Sequence, residues 1–267
     1  MMAGGDGVKI YVLCDLEGTA GVVDFQTQTY ADSKYNEQAK TLATLELNAL
    51  VDGALEGGAT EVIVLDGHGS GGIDIAQVHP EAQVLYGRPL PKGGGLDRSY
   101  AALFLYGHHA MNNVPTGVLC HSWSSRTIAN CWLNGELIGE IGVNVALAGY
   151  FGVPTVFISG DRAAVEEGRR YVPDIEGVIV KEGLSRTSAL TLAPAKARAL
   201  IREGARRAMS QIGKIRPYTV PPPYDFRTQY LAAQSADDKA RKPDVERVDL
   251  HTVKVSGEDF LEVISRR

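Results

Sequence analysis

The sequence predicts an α/β fold, with a mostly parallel central sheet flanked by helices and a C-terminal accessory layer of antiparallel strands and a helix. Three observations lead to this prediction. Short apolar runs rich in β-branched residues end at polar, glycine-rich corners, as buried parallel strands do. Helical patterns separate several of these runs, as in strand–helix–strand units. Beyond a proline-rich stretch, two segments alternate between apolar and polar residues, which is typical of half-exposed antiparallel strands.

A strand, a helix and a second strand begin the chain. The predicted segments are a strand within Val8–Thr19 that ends at Asp15, a helix from about Tyr35 to Glu56, and a strand at Glu61–Leu65. Leucine and valine side chains form one apolar stripe along this helix, and Gly57-Gly58 end it. In such a unit, the loops that follow the two strands lie at the same edge of the sheet.

The middle of the chain continues this alternation. Further strands are predicted at Gln83–Tyr86, Ala101–Tyr106, Gly117–Cys120, Pro154–Ser159 and Gly177–Val180, and helices from Gly139, at Arg162–Arg170 and at Pro194–Ile212. Asn134-Gly135 is the favoured two-residue turn of a hairpin, here between Ile128–Leu133 and Glu136–Ile138. Gly160-Asp161 is expected to cap the helix that follows it.

The sequence pattern changes in the C-terminal part of the chain. Pro217–Pro223 is stiff and extended, and alternating segments follow it at Tyr224–Leu231 and Arg247–Val255, with a closing helix from about Glu258. We expect one α/β domain over residues 1–267, in which residues 217–267 complete the fold or form an accessory subdomain.

The composition is that of an ordinary globular protein. Hydrophobic residues make up 44% of the chain and charged residues 22%, and the net charge of −5 gives no sign of a nucleic-acid or membrane surface. Apolar stretches stay shorter than the roughly 18 residues of a membrane span. Met1–Gly7 lacks the apolar core of a signal peptide. The three cysteines, Cys14, Cys120 and Cys131, lack metal-binding spacing, so reduced thiols and a cytoplasmic location are expected.

Two acidic residues, Asp15 and Glu17, follow the first predicted strand. Because residues two apart on a strand point to the same side, their carboxylates are expected to converge. Two carboxylates at one point repel each other unless a cation lies between them or one of them is protonated. An aspartate after a strand can also serve only as a turn or cap residue, so the two acids alone do not define a site.

Histidines follow other apolar runs. His68, the pair His108 and His109, and His121 stand at turns that are expected to share one edge of the sheet, where sites form in open α/β folds. Carboxylates and imidazoles are ligands of zinc and related ions, and four or five of them suit two metals better than one. Glu140, in the first turn of a helix, adds a carboxylate or simply matches the helix dipole. Any single loop histidine can equally be a hydrogen-bonded surface residue.

Several short motifs occur in a fixed order along the chain. They are Asp15-Leu16-Glu17-Gly18, Asp66-Gly67-His68-Gly69-Ser70, Gly107-His108-His109-Ala110, Pro115–Ser122, Asn134–Asn144, Ala148–Arg162, Ser185-Arg186 and Pro194-Ala195-Lys196-Ala197. Together they resemble the D-aminopeptidase family, bacterial zinc peptidases whose prototype is encoded with a dipeptide transport system. The resemblance runs from about Lys9 to the end of the chain and is weakest after Pro217.

The resemblance implies a set of metal ligands and a catalytic residue. Two zinc ions per subunit would be held by Asp15, Glu17, His68, His109 and Glu140. Asp15 would bridge both ions, and His121 would be catalytic, beside the metals but not a ligand. Manganese or cobalt could replace zinc, because these ions accept the same ligand types.

Two positions depart from the family pattern. Leu13 stands where a serine is usual, but it lies on the strand rather than among the ligands. His108 is an extra histidine beside His109, which leaves open which imidazole binds metal. Strand alternation places the two on opposite faces, and the family pattern favours His109.

The resemblance also implies an activity and an assembly. It indicates a metallopeptidase domain that removes the N-terminal residue of short peptides, above all D-amino-acid peptides such as D-Ala-D-Ala, through a metal-activated water. A ring-like homo-oligomer is implied as well. The substrate-binding residues are not identified, and Asn144, Ser122 and Asn134 are polar candidates near the site.

Two other readings remain open at this point. Asp15–Thr19 resembles the D-x-D-G-T opening of haloacid-dehalogenase-type phosphatases, which use magnesium, and Gly160-Asp161 resembles their later acidic motif. However, this chain has Glu17 where that family has an aspartate. A phosphatase site would also leave the histidines at the glycine-rich turns unexplained. The second reading is a protein that binds metal or peptide without catalysis. Structural zinc sites are usually closed by four protein ligands that include cysteine, whereas this ligand set is rich in oxygen.

Overall fold

The structure is a computed structural model that describes residues 7–267. The prediction that Met1–Gly7 is not a signal peptide falls almost wholly outside the described residues.

Twelve strands and six longer helices make up the described part of the chain. The strands are β1 (Lys9–Cys14), β2 (Glu61–Asp66), β3 (Ala82–Leu85), β4 (Ala102–His108), β5 (Ile128–Leu133), β6 (Glu136–Leu137), β7 (Thr155–Asp161), β8 (Glu176–Ser185), β9 (Ser188–Thr191), β10 (Tyr224–Tyr230), β11 (Glu246–Arg247) and β12 (Thr252–Gly257). The helices are α1 (Asn36–Glu56), α2 (Glu140–Tyr150), α3 (Arg162–Tyr171), α4 (Pro194–Met209), α5 (Ala233–Ala240) and α6 (Phe260–Arg266). Shorter helical turns lie at Phe25–Thr29, Ile75–Gln77 and Lys92–Gly95.

Seven strands form the main sheet, in the order β3-β2-β1-β4-β7-β8-β9. All neighbouring pairs are parallel except β8 and β9, which form an antiparallel hairpin at one edge. The predicted α/β class with a mostly parallel central sheet is therefore confirmed.

A second, five-stranded sheet is antiparallel, in the order β11-β12-β10-β5-β6. Its central strand, β10, pairs with β12 from the C-terminal part and with β5 from the middle of the chain. The accessory layer therefore contains more than the C-terminal segment, because the predicted hairpin of β5 and β6 also belongs to this sheet. The division of residues 1–267 into one domain or two stays a prediction.

Side chains of the central strands alternate between two apolar layers. Ile10 and Val12 of β1 pack in one layer with Leu50 of α1 and Ile201 of α4. Tyr11 points into the opposite layer, which α2, α3, α6 and the second sheet fill. Both faces of the main sheet are thus covered, which explains the continuous apolar runs of its strands. The carboxyl edge of the sheet is left for polar residues.

The Asn-Gly hairpin turn is confirmed. Asn134 and Gly135 have φ values of 51° and 86°, as a two-residue turn with left-handed central residues requires. The cap predicted at Asp161 is also present, because its carboxylate accepts a hydrogen bond from the backbone of Ala164.

The strand predicted at Gly117–Cys120 is wrong. These residues form turns, and Leu119 has a φ of 54°. The backbone N–H of Val118 donates to the Asp161 carboxylate at 2.7 Å, and that of Leu119 donates to the carbonyl of Arg186 at 2.7 Å. Because those groups bond to other segments, they form no strand ladder. The apolar residues are buried by packing alone.

Two elements, β9 and α5, were not predicted. Both are short and largely exposed, so they show little of the hydrophobic periodicity on which prediction depends. The segment predicted as one strand at Arg247–Val255 is divided between β11 and β12, because the chain bends at residues 248–251. Within residues 7–267, every helix falls short of the length or apolarity that a membrane-spanning helix needs.

Candidate metal centre

The carboxyl ends of three adjacent parallel strands meet at one edge of the main sheet. Cys14 of β1 lies in register with Asp66 of β2 on one side and with Tyr106 of β4 on the other. The acids and histidines predicted from the sequence follow these positions directly, so they start from neighbouring points. This is the expected place for a site in an open α/β sheet.

The loop after β1 lies directly against the end of β4. The N–H of Gly18 donates to the carbonyl of Gly107 at 2.7 Å. A Cβ at position 18 would lie 2.2 Å from the carbonyl oxygen of His108, so only glycine permits this approach. The close contact brings the two acids of the first loop to the histidines of β4.

Asp15, Glu17 and His68 form a first cluster of polar groups. His68 Nδ1 lies 3.2 Å from Asp15 Oδ1 and 3.1 Å from Glu17 Oε2. The other ring nitrogen, Nε2, lies 2.9 Å from the carbonyl oxygen of Thr29, to which it can donate a proton. The hydrogen bond from Nε2 to Thr29 therefore holds the His68 ring so that Nδ1 faces both carboxylates.

Asp15, His109 and Glu140 form a second cluster. His109 Nε2 lies 3.3 Å from Asp15 Oδ2 and 3.4 Å from Glu140 Oε1. Its Nδ1 lies 2.9 Å from the carbonyl oxygen of Ala110. Asp15 therefore contributes one carboxylate oxygen to each cluster.

The orientation of these imidazoles fits a metal. When an outer N–H donates to a backbone carbonyl, the inner nitrogen of a neutral imidazole carries a lone pair, and here that lone pair faces carboxylate oxygens. Lone pairs in such contact repel each other unless a proton or a cation lies between them. Metal-binding histidines typically donate their second N–H to a carbonyl or carboxylate, as His68 and His109 do. The donor set, nitrogen and carboxylate oxygen, is one that zinc accepts.

The electrostatics of the clusters agree with this interpretation. Burial raises the pKa of Asp15, but hydrogen bonds from His109 and His68 outweigh burial and hold that pKa well below its usual value. Burial likewise opposes ionisation of Glu140, yet contact with His109 lowers its pKa to about 2. The acids are thus ionised at neutral pH. The positive charge among them is that of His68 and His109, whose pKa values the carboxylates raise well above the usual value despite burial, and a bound cation would supply this charge in their place.

His121 lies beside the second cluster. Its ring stacks on that of His109, with ring centroids 3.9 Å apart, and its Nε2 lies 3.9 Å from Glu140 Oε1. Its Nδ1 lies 2.8 Å from the carbonyl oxygen of Leu119. Burial, aided by the neighbouring His109, lowers the pKa of His121. A neutral imidazole with a free Nε2 therefore faces the site, close enough to serve as a base or as a further ligand.

His108 is close to the site without a defined partner. Its Nδ1 lies 4.0 Å from Asp15 Oδ2, and its two ring nitrogens make no hydrogen bond with residues 7–267. The expected separation of His108 and His109 onto opposite faces is therefore incomplete. Gly107, with a φ of 69°, bends the end of β4 out of regular strand geometry. Of these two adjacent histidines, only His109 reaches two carboxylates at 3.4 Å or less.

An open cavity of about 560 Å³ leads to the clusters. Its lining includes Asp15, Glu17, His68, His121 and Glu140. Tyr30, Trp123 and Arg126 also line it: the N–H of Trp123 donates to Glu140 Oε1 at 2.7 Å, and the Arg126 guanidinium stacks 3.8 Å from the centre of the Tyr30 ring. The cavity is large enough for a short peptide and has apolar as well as charged walls.

The three candidate substrate-binding residues have different positions. Ser122 is buried, and its hydroxyl accepts a 3.4 Å hydrogen bond from the N–H of Asn112. Asn144 lies on α2 and lines a separate, smaller cavity. Asn134 lies in the β5–β6 turn, where its side chain bonds to the backbone of Asp225 and Pro221. None of the three is in the lining of the main cavity.

Residues that support the site were not predicted from the sequence. The Arg88 guanidinium donates to the carbonyls of Asp66 and His68, and the Asp66 carboxylate accepts from the N–H of Gly72 at 2.9 Å. These bonds hold the loop that carries His68. Arg186 donates to the carbonyl of Cys120 and so holds the segment before His121. Arg88 leaves no local sequence pattern by which it could be found, whereas Asp66 and Arg186 stand in motifs that carry the family resemblance.

Both carboxylate oxygens of Asp161 are engaged by backbone N–H groups. One of its carboxylate oxygens accepts from Ala164 at 2.9 Å and the other accepts from Val118 at 2.7 Å. The acid that resembled a phosphatase motif is thus a helix cap that also holds the His121 segment. This geometry gives the phosphatase alternative no support.

Comparison with known proteins agrees with the site. A family model described as D-aminopeptidase matches residues 8–266. A D-aminopeptidase of Bacillus subtilis (strain 168) is 31% identical over 261 residues, which cover 96% of this chain and 93% of the relative. A solved structure, the Zn-dependent D-aminopeptidase DppA from Bacillus subtilis, described as a self-compartmentalizing protease, matches with a TM-score of 0.90 and 28% identity over 97% of this chain and 95% of that one. With a match along nearly its whole length, the chain belongs to the D-aminopeptidase family.

Proposed function

We propose that this protein is a zinc-dependent aminopeptidase that removes the N-terminal residue of short peptides, with D-amino-acid peptides such as D-Ala-D-Ala as its preferred substrates. One observation carries the proposal: Asp15 offers one oxygen to the His68 cluster and the other to the His109 cluster. A carboxylate shared in this way suits a pair of metal ions. The D-preference is supported by family membership and by the names of the two relatives.

The proposed ligands divide between two zinc ions in each subunit. Asp15, Glu17 and His68 would hold one ion, and Asp15, His109 and Glu140 the other, with Asp15 as the bridge. The zinc dependence stated for the Bacillus subtilis structure supports this metal. The oxygen-rich donor set would also accept manganese or cobalt.

The residues of the chain provide the rest of the chemistry. A zinc pair held there would supply polarisation of a substrate carbonyl and a lowered pKa for a water nucleophile at neutral pH. His121, held by the Leu119 carbonyl, has a free Nε2 that can take a proton from the attacking water and pass it to the departing amine. The Asp15 and Glu17 side chains are themselves almost fully buried, so their carboxylates are held in a setting that favours cation binding.

The setting of the enzyme is also a proposal. The self-compartmentalizing character of the solved relative supports a homo-oligomer, and we propose a ring-like one. A cytoplasmic location is supported by the three cysteines, Cys14, Cys120 and Cys131, all of which are free. We also propose that residues 1–267 act as one metallopeptidase domain, because β5 and β10 pair across the proposed subdomain boundary.

The direct test measures products with and without metal. We expect the zinc-loaded protein to release D-alanine from D-Ala-D-Ala faster than L-alanine from L-Ala-L-Ala, and to lose this activity with a chelator. The matched control is His79→Ala, because His79 contacts Asp52 at 3.3 Å outside the clusters and its loss should leave the rate unchanged. Magnesium-dependent release of phosphate from an aryl phosphate would contradict the proposal. So would zinc binding without either activity.

A further inference from the structure

A buried lysine, Lys181, holds the loop that follows β1. Lys181 lies on β8 and is only 2% exposed. Its ammonium donates three hydrogen bonds, to the carbonyl oxygens of Glu17 at 2.5 Å, Thr19 at 3.0 Å and Val22 at 2.5 Å. All three N–H groups of the ammonium are thereby used. Its acceptors lie about 160 positions away in sequence and all belong to a single loop.

The carboxylate of Glu17 depends on this loop for its direction. Within residues 7–267, its one hydrogen bond is the 3.1 Å contact with His68 Nδ1. No other side chain in that range holds it. Its position is therefore set mainly by the backbone from which it extends.

Both ends of the peptide unit after Glu17 are held. Lys181 binds the carbonyl of Glu17, and the N–H of Gly18, on the same peptide plane, donates to Gly107 at 2.7 Å. Because a peptide unit is planar, two such bonds fix its orientation. Glu46 of α1 adds a third restraint, since its Oε1 accepts from the N–H of Ala20 at 3.1 Å.

Packing alone does not account for a lysine at this position. Burial of an ammonium costs several kcal/mol even after relaxation, and an apolar residue of similar size would avoid that cost. Burial lowers the pKa of Lys181 to about 8, while the charges of Asp161, Glu46 and Glu17 oppose the shift, so the group is still cationic at neutral pH. The charged ammonium is instead explained by its hydrogen bonds to three carbonyl oxygens of one loop.

We propose that Lys181 is a positioning residue for the metal centre: by holding the carbonyl of Glu17 it directs the Glu17 carboxylate toward His68 and the metal bound there. This inference rests on the proposed function, in which Glu17 is a zinc ligand. It extends that function to a residue on β8 that touches neither substrate nor the reacting atoms.

The experiment compares zinc affinity with folding stability. Lys181→Met keeps the length of the side chain and removes all three donors, and Lys181→Gln retains up to two N–H donors. Val178→Ala is the control, because Val178 is buried on the same strand and its truncation weakens the core without touching the loop. Zinc affinity is measured by competition with a chromophoric chelator, stability by the melting temperature, and kcat and KM with D-Ala-D-Ala.

We expect Lys181→Met to bind zinc about 10- to 100-fold more weakly and to lose kcat by a similar factor, as for other residues that orient metal ligands. Lys181→Gln should lie between Met and wild type, and it provides the comparison if the Met variant does not fold. Val178→Ala should lower the melting temperature and leave zinc affinity unchanged.

Two outcomes would overturn the inference in different ways. If wild type binds zinc and cleaves the dipeptide while the folded Lys181 variant keeps wild-type zinc affinity and kcat, the role of Lys181 is wrong and the proposed function stands. If wild type itself neither binds zinc nor cleaves the peptide, the proposed function fails and this inference fails with it.

Discussion

The imidazole ring of His121 stacks on that of His109, with centroids 3.9 Å apart and ring planes inclined by 15°. Each ring has its Nδ1 within 2.9 Å of a backbone carbonyl oxygen, of Leu119 and Ala110 respectively. The difference lies in the other nitrogen. Nε2 of His109 reaches two carboxylates within 3.4 Å, whereas Nε2 of His121 is 3.9 Å from Glu140. This geometry supports the proposed roles, with His109 as a metal ligand and His121 as the group that transfers a proton.

The first prediction separates these two roles at His121. His121→Ala should lower kcat about 100-fold or more, the usual loss when a general acid–base is removed. Zinc content should stay at the wild-type value, because the five proposed ligands are intact. The measurement is turnover of D-Ala-D-Ala together with elemental analysis of the same sample. Near-normal turnover with full metal loading would show that the proposed role is wrong, and a loss of zinc would make His121 a ligand.

A second prediction decides between the adjacent histidines. His109→Ala should remove one zinc per subunit and abolish activity, because its Nε2 faces both Asp15 and Glu140. His108→Ala should keep both ions, since His108 reaches Asp15 only at 4.0 Å. Elemental analysis after dialysis against a weak chelator measures the difference. Zinc loss in His108→Ala and retention in His109→Ala would reverse the assignment.

The third prediction concerns Glu167, a buried acid of α3 that accepts a hydrogen bond from the N–H of Met111 at 2.7 Å. Burial raises its pKa from 4.5 to about 7. The folded state therefore holds a proton that the unfolded state releases. The stability from this group is complete below pH 4.5 and is lost as the pH rises through 7.

Unfolding in urea at pH 5 and pH 8 measures this effect. Glu167→Gln should gain stability relative to wild type at the higher pH, by at most about 3 kcal/mol. Glu166→Gln, at the exposed neighbouring position, is the matched control and should show no such trend. The same stability difference between wild type and Glu167→Gln at both pH values would contradict the prediction.

A fourth prediction tests the close approach of the two loops. Gly18→Ala should cost about 1–3 kcal/mol of folding stability, because the new Cβ would lie 2.2 Å from the carbonyl oxygen of His108, and relief of this clash requires a backbone shift. Gly69→Ala is the control, since a Cβ there meets no atom within 4 Å. Chemical denaturation measures both variants. Equal stability of the two would mean that the loops are less tightly packed than described.

Much of the fold could be predicted because strand ends and turns leave local patterns. The acids after β1 and the Asn134-Gly135 turn are read from neighbouring residues alone, and the helix α1 from its apolar stripe. The strand prediction at Gly117–Cys120 failed for a physical reason. Apolar residues indicate burial, and these residues are buried without pairing as a strand. Sequence patterns do not record which backbone groups a segment bonds to.

The site likewise contains residues that local sequence patterns predict and one that they do not. Asp15, Glu17, His68 and His109 stand at strand ends, where topology brings them together. Lys181 was not predicted, because its acceptors lie about 160 positions earlier and a single lysine within a strand reads as an exposed residue. Only the folded chain brings that ammonium to the loop of Glu17.

The most direct test of the account is X-ray diffraction from crystals grown with zinc, with anomalous data collected on both sides of the zinc absorption edge. Two anomalous peaks should appear in each subunit, one between Glu17 and His68 and one between His109 and Glu140, with an oxygen of Asp15 on each. A single peak, or two peaks of which one does not contact Asp15, would contradict the shared-carboxylate centre on which the account depends.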